Sequence, residues 1–180
     1  SVMNSTHAKY PLSSPDPAVV ASGLQGLETS LRNARFWNSD TVLLVPGFVT
    51  PQVGYRECWE RSQKEIRRIL PMAAEMKVVI AIENVGNRFL LSPLEFARYV
   101  DEFNSPWLKA YFDVGNIVRN GFPQDWIRTL GKRIVKLHLK DPLARPVPNA
   151  SASPRAPLLE GDVDWREVHK ALAEIAYSGS

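Results

Sequence analysis

Three polar side chains stand at the ends of successive apolar segments, where they could share one chemical task. Glu83 ends "IAIE", Asp113 ends "AYFD" and His138 ends "VKLH". Two carboxylates and an imidazole form a donor set suited to a divalent cation such as Mn²⁺, Mg²⁺, Co²⁺ or Zn²⁺. A bound cation can fix substrate oxygens and act as a Lewis acid on a carbonyl. One acid at a strand end is as often a helix cap or the partner of a lysine, but three segments with the same ending favour a shared site.

The segments that carry these residues are short, apolar and rich in β-prone side chains, which is typical of strands. They cover residues 41–47, 78–84, 108–115 and 133–141, and residues 1–5 form a weaker fifth candidate. Helical patterns occupy residues 17–36, 55–76, 92–103 and 164–177. Pro71 is expected to break the second of these helices or end it early.

This alternation of strands and helices predicts an α/β protein with a parallel sheet covered on both faces. Glu83 and Asp113 are 30 positions apart (113 − 83), and Asp113 and His138 are 25 apart (138 − 113). A (β/α)₈ TIM barrel uses about 30 residues per unit. A doubly wound sheet can have similar spacing, but it usually carries a glycine-rich phosphate loop after its first strand, and this sequence has none there. In a barrel the carboxyl ends of the strands converge on one face, so the three side chains could meet.

Composition places the chain among soluble globular proteins. Its 180 residues are 44% apolar and 23% charged, and the net charge of +3 is scattered, which argues against a nucleic-acid partner. No apolar run reaches the roughly 18 residues needed to span a bilayer. Cys58 is the single cysteine, which fits a reducing compartment, so we expect a cytoplasmic protein. We expect residues 1–180 to form one partial TIM-barrel domain, with the Pro-, Ala- and Ser-rich residues 142–162 as a mobile loop.

The order of several motifs resembles the xylose isomerase-like TIM-barrel superfamily. The motifs are a Glu-Asn pair in "IENVGN", Asp-x-Gly-Asn in "FDVGN", His-x-Lys-Asp in "LHLKD" and a Gly-Asp element before a helix in "EGDVDW". They run from about residue 78 to residue 178, and they are most similar to the L-ribulose-5-phosphate / L-xylulose-5-phosphate 3-epimerase-like group. That group carries Asn at the position of Asn116, where ketose 3-epimerases and endonuclease-type relatives carry His.

The resemblance implies a metal-dependent isomerase or epimerase that acts on a sugar or sugar phosphate. Such an enzyme transfers a proton next to a ketose carbonyl and passes through an enediolate. By the resemblance, Glu83, Asp113 and His138 are the metal ligands, and Glu83 also serves as a catalytic acid or base. We expect the neighbouring polar residues to bind substrate: Asn84, Asn116, Lys140, Arg145 and His7.

The resemblance also implies eight βα units, whereas about five are visible in the sequence. We therefore expect the chain to be incomplete at both termini, with a second metal-binding Glu on a strand after Ser180. Three alternatives stay open: an inosose-dehydratase-like enzyme, a hydroxypyruvate-isomerase-like enzyme of the same superfamily, and a non-catalytic sugar-binding barrel. The expected partner is a small sugar or sugar phosphate. We expect no nucleic-acid or membrane partner, and a homo-oligomer is left open.

Overall fold

A parallel sheet of five strands forms the centre of the molecule. The computed structural model describes residues 1–143 and 155–179. The strands lie side by side in the order in which they occur along the chain. This arrangement confirms the predicted α/β fold and forms part of a TIM barrel. The strands are β1 (Val2–Met3), β2 (Thr41–Leu44), β3 (Val79–Glu83), β4 (Leu108–Asp113) and β5 (Ile134–His138).

Helices connect consecutive strands. Ser92 and Asp164, the first residues of two of the predicted helical segments, are N-cap residues, and each accepts a hydrogen bond from a backbone N–H in the first turn of its helix. The helix between β4 and β5 was not among the predicted helical segments. Among the described residues, each helix is too short or too polar to cross a membrane. The helices are α1 (Thr6–Lys9), α2 (Pro17–Phe36), α3 (Tyr55–Met76), α4 (Pro93–Asp101), α5 (Pro123–Leu130) and α6 (Trp165–Glu174).

The predicted break at Pro71 is wrong, because α3 continues through this residue to Met76. Proline in a helix interior removes one hydrogen bond and costs about 3 kcal/mol. Ile69, Leu70 and Ala73 around it are buried in the core. The burial of that apolar face offsets the local cost, since each fully buried aliphatic side chain contributes about 1.5–3 kcal/mol.

The two faces of the sheet have different partners. Ile82 and Phe112 belong to the core between sheet and helices, and the Phe112 ring stacks 6.1 Å from that of Trp126 on α5. Residues of the opposite parity face the other side of the sheet, which is strongly curved. Lys136 Nζ on β5 lies 3.4 Å from Asp40 Oδ1, just before β2. In a flat sheet, three strand spacings would separate β2 from β5 by about 14 Å, so this contact across the face indicates that the sheet is curved.

An irregularity in β5 decides which way its side chains point. Ala110 pairs with Ile134, but the next residue of β4, Tyr111, pairs with Lys136. One residue of β5 is therefore extra, as in a β-bulge, and the pairing that follows is shifted by one. As a result His138 lies opposite Asp113, on the same face of the sheet. Without the extra residue, His138 would point into the helix layer.

A short antiparallel pair follows the sheet: β6 (Asp141–Pro142) and β7 (Arg155–Ala156). The buried Asp141 carboxylate organises the segment after it. It accepts hydrogen bonds from Leu159 N (2.8 Å), Val163 N (3.1 Å) and Trp165 Nε1 (2.7 Å). A Cβ on Gly161 would lie 2.2 Å from Asp141 Oδ1, so only glycine fits beside this carboxylate. The described ends of residues 142–162 are thus anchored, and the mobility of this loop stays a prediction.

We predict that Asp141→Asn lowers the free energy of unfolding by about 1–3 kcal/mol, because an amide NH₂ would meet N–H donors. Burial opposes ionisation of Asp141, but the hydrogen bonds from Trp165 and the backbone outweigh it and hold the pKa below its ordinary value. A lowered carboxyl pKa stabilises the fold above the unfolded pKa, and this contribution is lost as the pH falls through the folded pKa. In urea titrations, the difference from wild type should therefore be largest near pH 7 and shrink in acid.

The matched control for this experiment is Glu28→Gln, which removes a charge from an exposed position of α2. It should leave the unfolding free energy nearly unchanged across the same pH range. A loss of stability in Asp141→Asn that does not depend on pH would contradict the assigned role of the carboxylate.

Candidate metal centre

Glu83, Asp113 and His138 meet at the carboxyl ends of β3, β4 and β5. Among the described residues they form a cluster in which one donor atom from each lies within 4.8 Å of the others. His138 Nδ1 is 2.9 Å from Glu83 Oε1 and 3.3 Å from Asp113 Oδ2. Glu83 is 6% exposed and Asp113 is fully buried, whereas the His138 side chain is 39% exposed. The site is therefore closed on its carboxylate side and open beside the imidazole.

This donor set fits a divalent cation. Two carboxylate oxygens and one imidazole nitrogen converge from three strands, and oxygen and nitrogen donors are those that Mn²⁺, Mg²⁺, Co²⁺ and Zn²⁺ accept in proteins. Two buried carboxylates whose oxygens lie within 4.8 Å of each other also need positive charge nearby, because each is costly to bury while ionised. Glu83, Asp113 and His138 would hold the cation.

Part of the required positive charge comes from Lys140. Its Nζ donates a hydrogen bond to Asp113 Oδ2, the same oxygen that faces His138. The other oxygen, Oδ1, accepts a hydrogen bond from Asn116 N at 2.9 Å. Lys140 can approach because Gly115 lies against it: a Cβ there would come within 2.7 Å of Lys140 Cβ. The glycine of the Asp-x-Gly-Asn motif thus has a steric reason to be present.

The surroundings of Glu83 change its acidity. Burial raises the pKa of Glu83, the hydrogen bond with His138 acts in the opposite direction, and the charge of Asp113 raises it further. A carboxylate with a raised pKa is a stronger base when it is ionised. This property fits a group that takes a proton from carbon.

Asn84 and Asn116, predicted as substrate contacts, lie at the site but use their amide groups on the backbone. Asn84 Oδ1 accepts a hydrogen bond from Asp113 N at 2.8 Å, and Asn84 Nδ2 donates to Asp113 O at 2.9 Å. Asn116 Nδ2 donates to Asn84 O at 2.9 Å. Both side chains therefore connect the end of β3 to the end of β4.

The structure does not test two of the predicted substrate contacts, His7 and Arg145. His7 lies on α1, where burial lowers its pKa, and it is not part of the donor cluster among the described residues. Arg145 lies outside the described residues. Both stay predictions.

Tyr111 is a neighbour of the site that the sequence analysis missed. Its ring approaches that of His138 edge-on, with centroids 6.2 Å apart. Its hydroxyl lies 3.2 Å from Ser1 Oγ. The available signal was the strand period of two, because Tyr111 precedes Asp113 by two residues and so shares its face.

Comparison with known proteins identifies the family. Residues 2–180 match the family described as xylose isomerase-like TIM barrel. The chain belongs to this family. The fold and the place of the three donors at the strand ends agree with this membership, since such barrels carry their sites on that face.

Among curated proteins, the chain is similar to L-ribulose-5-phosphate 3-epimerase UlaE of Escherichia coli (strain K12), with 27% identity over 177 residues. This match covers 97% of the chain and 60% of the relative, so the chain spans about three fifths of the relative's length. Among solved structures, an L-ribulose 3-epimerase matches with TM-score 0.79 and 18% identity, over 96% of the chain and 57% of its own. D-psicose 3-epimerase from Clostridium cellulolyticum H10, solved with D-tagatose, matches with TM-score 0.75 and 23% identity, over 96% and 59%. These structures support the fold.

We predict that Glu83→Gln stabilises the fold when chelator is present. When the pKa of an acid is raised on folding, the folded protein loses stability as the pH rises from the unfolded to the folded pKa, because the ionised form is disfavoured in the fold. Glutamine carries no charge, so the gain in melting temperature should be largest at neutral pH. It should vanish below about pH 4, where Glu is protonated in both states.

Glu75→Gln, at an exposed position of α3, is the matched control and should show no such gain. A Glu83→Gln variant that melts below wild type at neutral pH would show that the ionised carboxylate stabilises the fold instead.

Proposed function

We propose that this protein is a metal-dependent epimerase or isomerase of a ketose sugar or sugar phosphate. The observation that carries the proposal is the convergence of Glu83, Asp113 and His138 on one point at the carboxyl ends of three adjacent strands. Family membership and the 27% identity to an L-ribulose-5-phosphate 3-epimerase support the same class of reaction. The fold alone would not identify this class of reaction, because TIM barrels catalyse many different reactions.

In this proposal the three side chains hold the cation and orient the substrate beside it. When bound, a divalent cation supplies Lewis-acid stabilisation of the charge that develops on the substrate's oxygens. Asp113 is fixed by its backbone and by Asn116 N, so it serves as a rigid ligand. The half-exposed ring of His138 lies on the open side of the site, where a sugar can enter.

Glu83 takes the proton from the carbon next to the ketose carbonyl. Its burial raises its pKa, which brings it closer to the working range of a general base. Loss of this proton gives the enediolate, and return of a proton to the opposite face inverts the carbon. Inversion requires a second acid or base on the opposite side of the substrate. Among the described residues we assign only the group that removes the proton, which is Glu83.

Lys140 is our candidate for recognition of an anionic substrate group. Its side chain is 20% exposed and its Nζ lies beside Asp113, so it presents an ammonium group at the edge of the site. A phosphate is one group that such a lysine can bind as a point charge. This assignment favours a sugar phosphate over a free sugar.

We predict that Asp113→Ala and His138→Ala in the full-length protein each lose bound divalent cation and lower ketose 3-epimerisation by about 100-fold or more. Metal analysis of the purified protein and NMR of the product sugars measure the two effects. Asp125→Ala, which removes an exposed acid from α5, is the control and should retain both.

If Asp113→Ala and His138→Ala both keep the metal content of the wild type, the assignment of the metal site is wrong. A dehydrated product, or exchange between aldose and ketose, would replace epimerisation by one of the other reactions of the family. Cation and sugar binding without turnover by the wild type would identify a sugar-binding barrel.

We predict that Lys140→Met raises KM for a phosphorylated ketose about 10-fold more than KM for the same ketose without phosphate, because a hydrogen bond to a charged group is lost. Steady-state kinetics on both sugars give this ratio. Lys132→Met, an exposed lysine before β5, is the control. Equal changes in the two KM values would contradict a phosphate contact.

A further inference from the structure

We propose that Asn84 and Asn116 are positioning residues that clamp Asp113 as a metal ligand, and that they do not bind the sugar. The inference rests on the proposed metal centre and assigns these two amides a different role from the one their sequence position implied. It follows from where each amide hydrogen bond goes.

The Asn84 side chain extends the sheet beyond the last backbone pair of β3 and β4. Glu83 pairs with Tyr111, and the ladder between these strands ends there. Asn84 Oδ1 then accepts from Asp113 N and its Nδ2 donates to Asp113 O, so one side chain satisfies both backbone groups of Asp113. The two bonds fix the peptide groups on both sides of the Asp113 Cα, and thereby the direction of its Cβ.

Asn116 fixes the carboxylate itself. Its Nδ2 donates to Asn84 O and holds the turn Gly115–Ile117 against the end of β3. In that position the backbone N of Asn116 donates to Asp113 Oδ1 at 2.9 Å. One carboxylate oxygen is thus occupied, and Oδ2 is the oxygen that faces His138 and Lys140.

Burial separates this role from substrate binding. Asn84 is 4% exposed, and both its oxygen and its amide nitrogen already have backbone partners. Burial leaves almost no surface at which a sugar hydroxyl could reach this amide, and turning the side chain toward a sugar would leave backbone groups of Asp113 without partners. Residues that orient a metal ligand without touching the metal typically change metal affinity by about 10- to 100-fold when they are removed.

The chain offers a close control in Asn87. Asn87 is also 4% exposed and follows the same strand as Asn84. Its Nδ2 donates to Gly47 O at 2.7 Å and its Oδ1 accepts from Phe89 N at 3.2 Å. Asn84→Ala and Asn87→Ala therefore each remove two side-chain hydrogen bonds to backbone from a buried amide, but only the first of them touches a ligand of the metal centre.

The test is calorimetric titration of Mn²⁺ into metal-free full-length protein, with no sugar present. We expect Asn84→Ala to raise the Mn²⁺ dissociation constant about 10- to 100-fold. Asn116→Ala should raise it by a smaller factor, because the Asn84 bonds remain. Asn87→Ala should leave it unchanged, although its melting temperature should fall about as much as that of Asn84→Ala.

Kinetics at saturating Mn²⁺ complete the test. A positioning role predicts that KM for the sugar stays close to wild type in both Asn84→Ala and Asn116→Ala. Unchanged Mn²⁺ affinity together with a raised KM would overturn the inference and restore both residues as substrate contacts, with the proposed function intact. If Asn84→Ala does not fold, Asn116→Ala decides by the same two measurements. A wild-type protein that binds no divalent cation would overturn the metal centre and this inference together.

Discussion

Two carboxylates buried side by side are the constraint on which the rest of the site depends. Glu83 and Asp113 end adjacent parallel strands, and both lie almost entirely out of water. Two ionised carboxylates are costly to bury next to each other without compensating donors or positive charge. His138, Lys140 and the N–H of Asn116 are the groups that offset this cost. Buried carboxylates that need such compensation are typical of functional sites.

The sheet brings these groups together through register as well as strand order. Parallel strands with helical crossovers align their carboxyl ends, which is why three strand-end residues could be predicted from sequence to share a site. The sequence pattern could not predict the extra residue in β5, since a bulge depends on the pairing partner and not on local composition. That one residue places His138 on the face of Asp113. The continuation of α3 through Pro71 was missed for a related reason: the packing that offsets the local cost comes from the rest of the fold.

The roles of polar residues were harder to predict than their positions. Asn84 lies next to Asp113 and bonds its backbone, and a buried amide can face a ligand or a neighbouring backbone with the same sequence around it. The choice depends on whether the next strand has unpaired backbone groups, and Asp113 lies two positions past Tyr111, which closes the β3–β4 ladder. Asp141 shows the same limit. It looks like another acid at a strand end, yet its oxygens are used by Leu159, Val163 and Trp165.

The two kinds of acid at the strand ends therefore differ in what surrounds them. Donors from the chain itself surround the Asp141 carboxylate, and they lower its pKa in spite of burial. Glu83 has too few such donors to offset its burial and the nearby charge of Asp113, and its pKa is raised. The chain thus satisfies the charge of Asp141 internally, whereas Glu83 has fewer donors and lies in a cluster of side chains that fits a cation. This difference in environment, more than the barrel fold, separates the catalytic candidate from the structural acid a few residues away from His138.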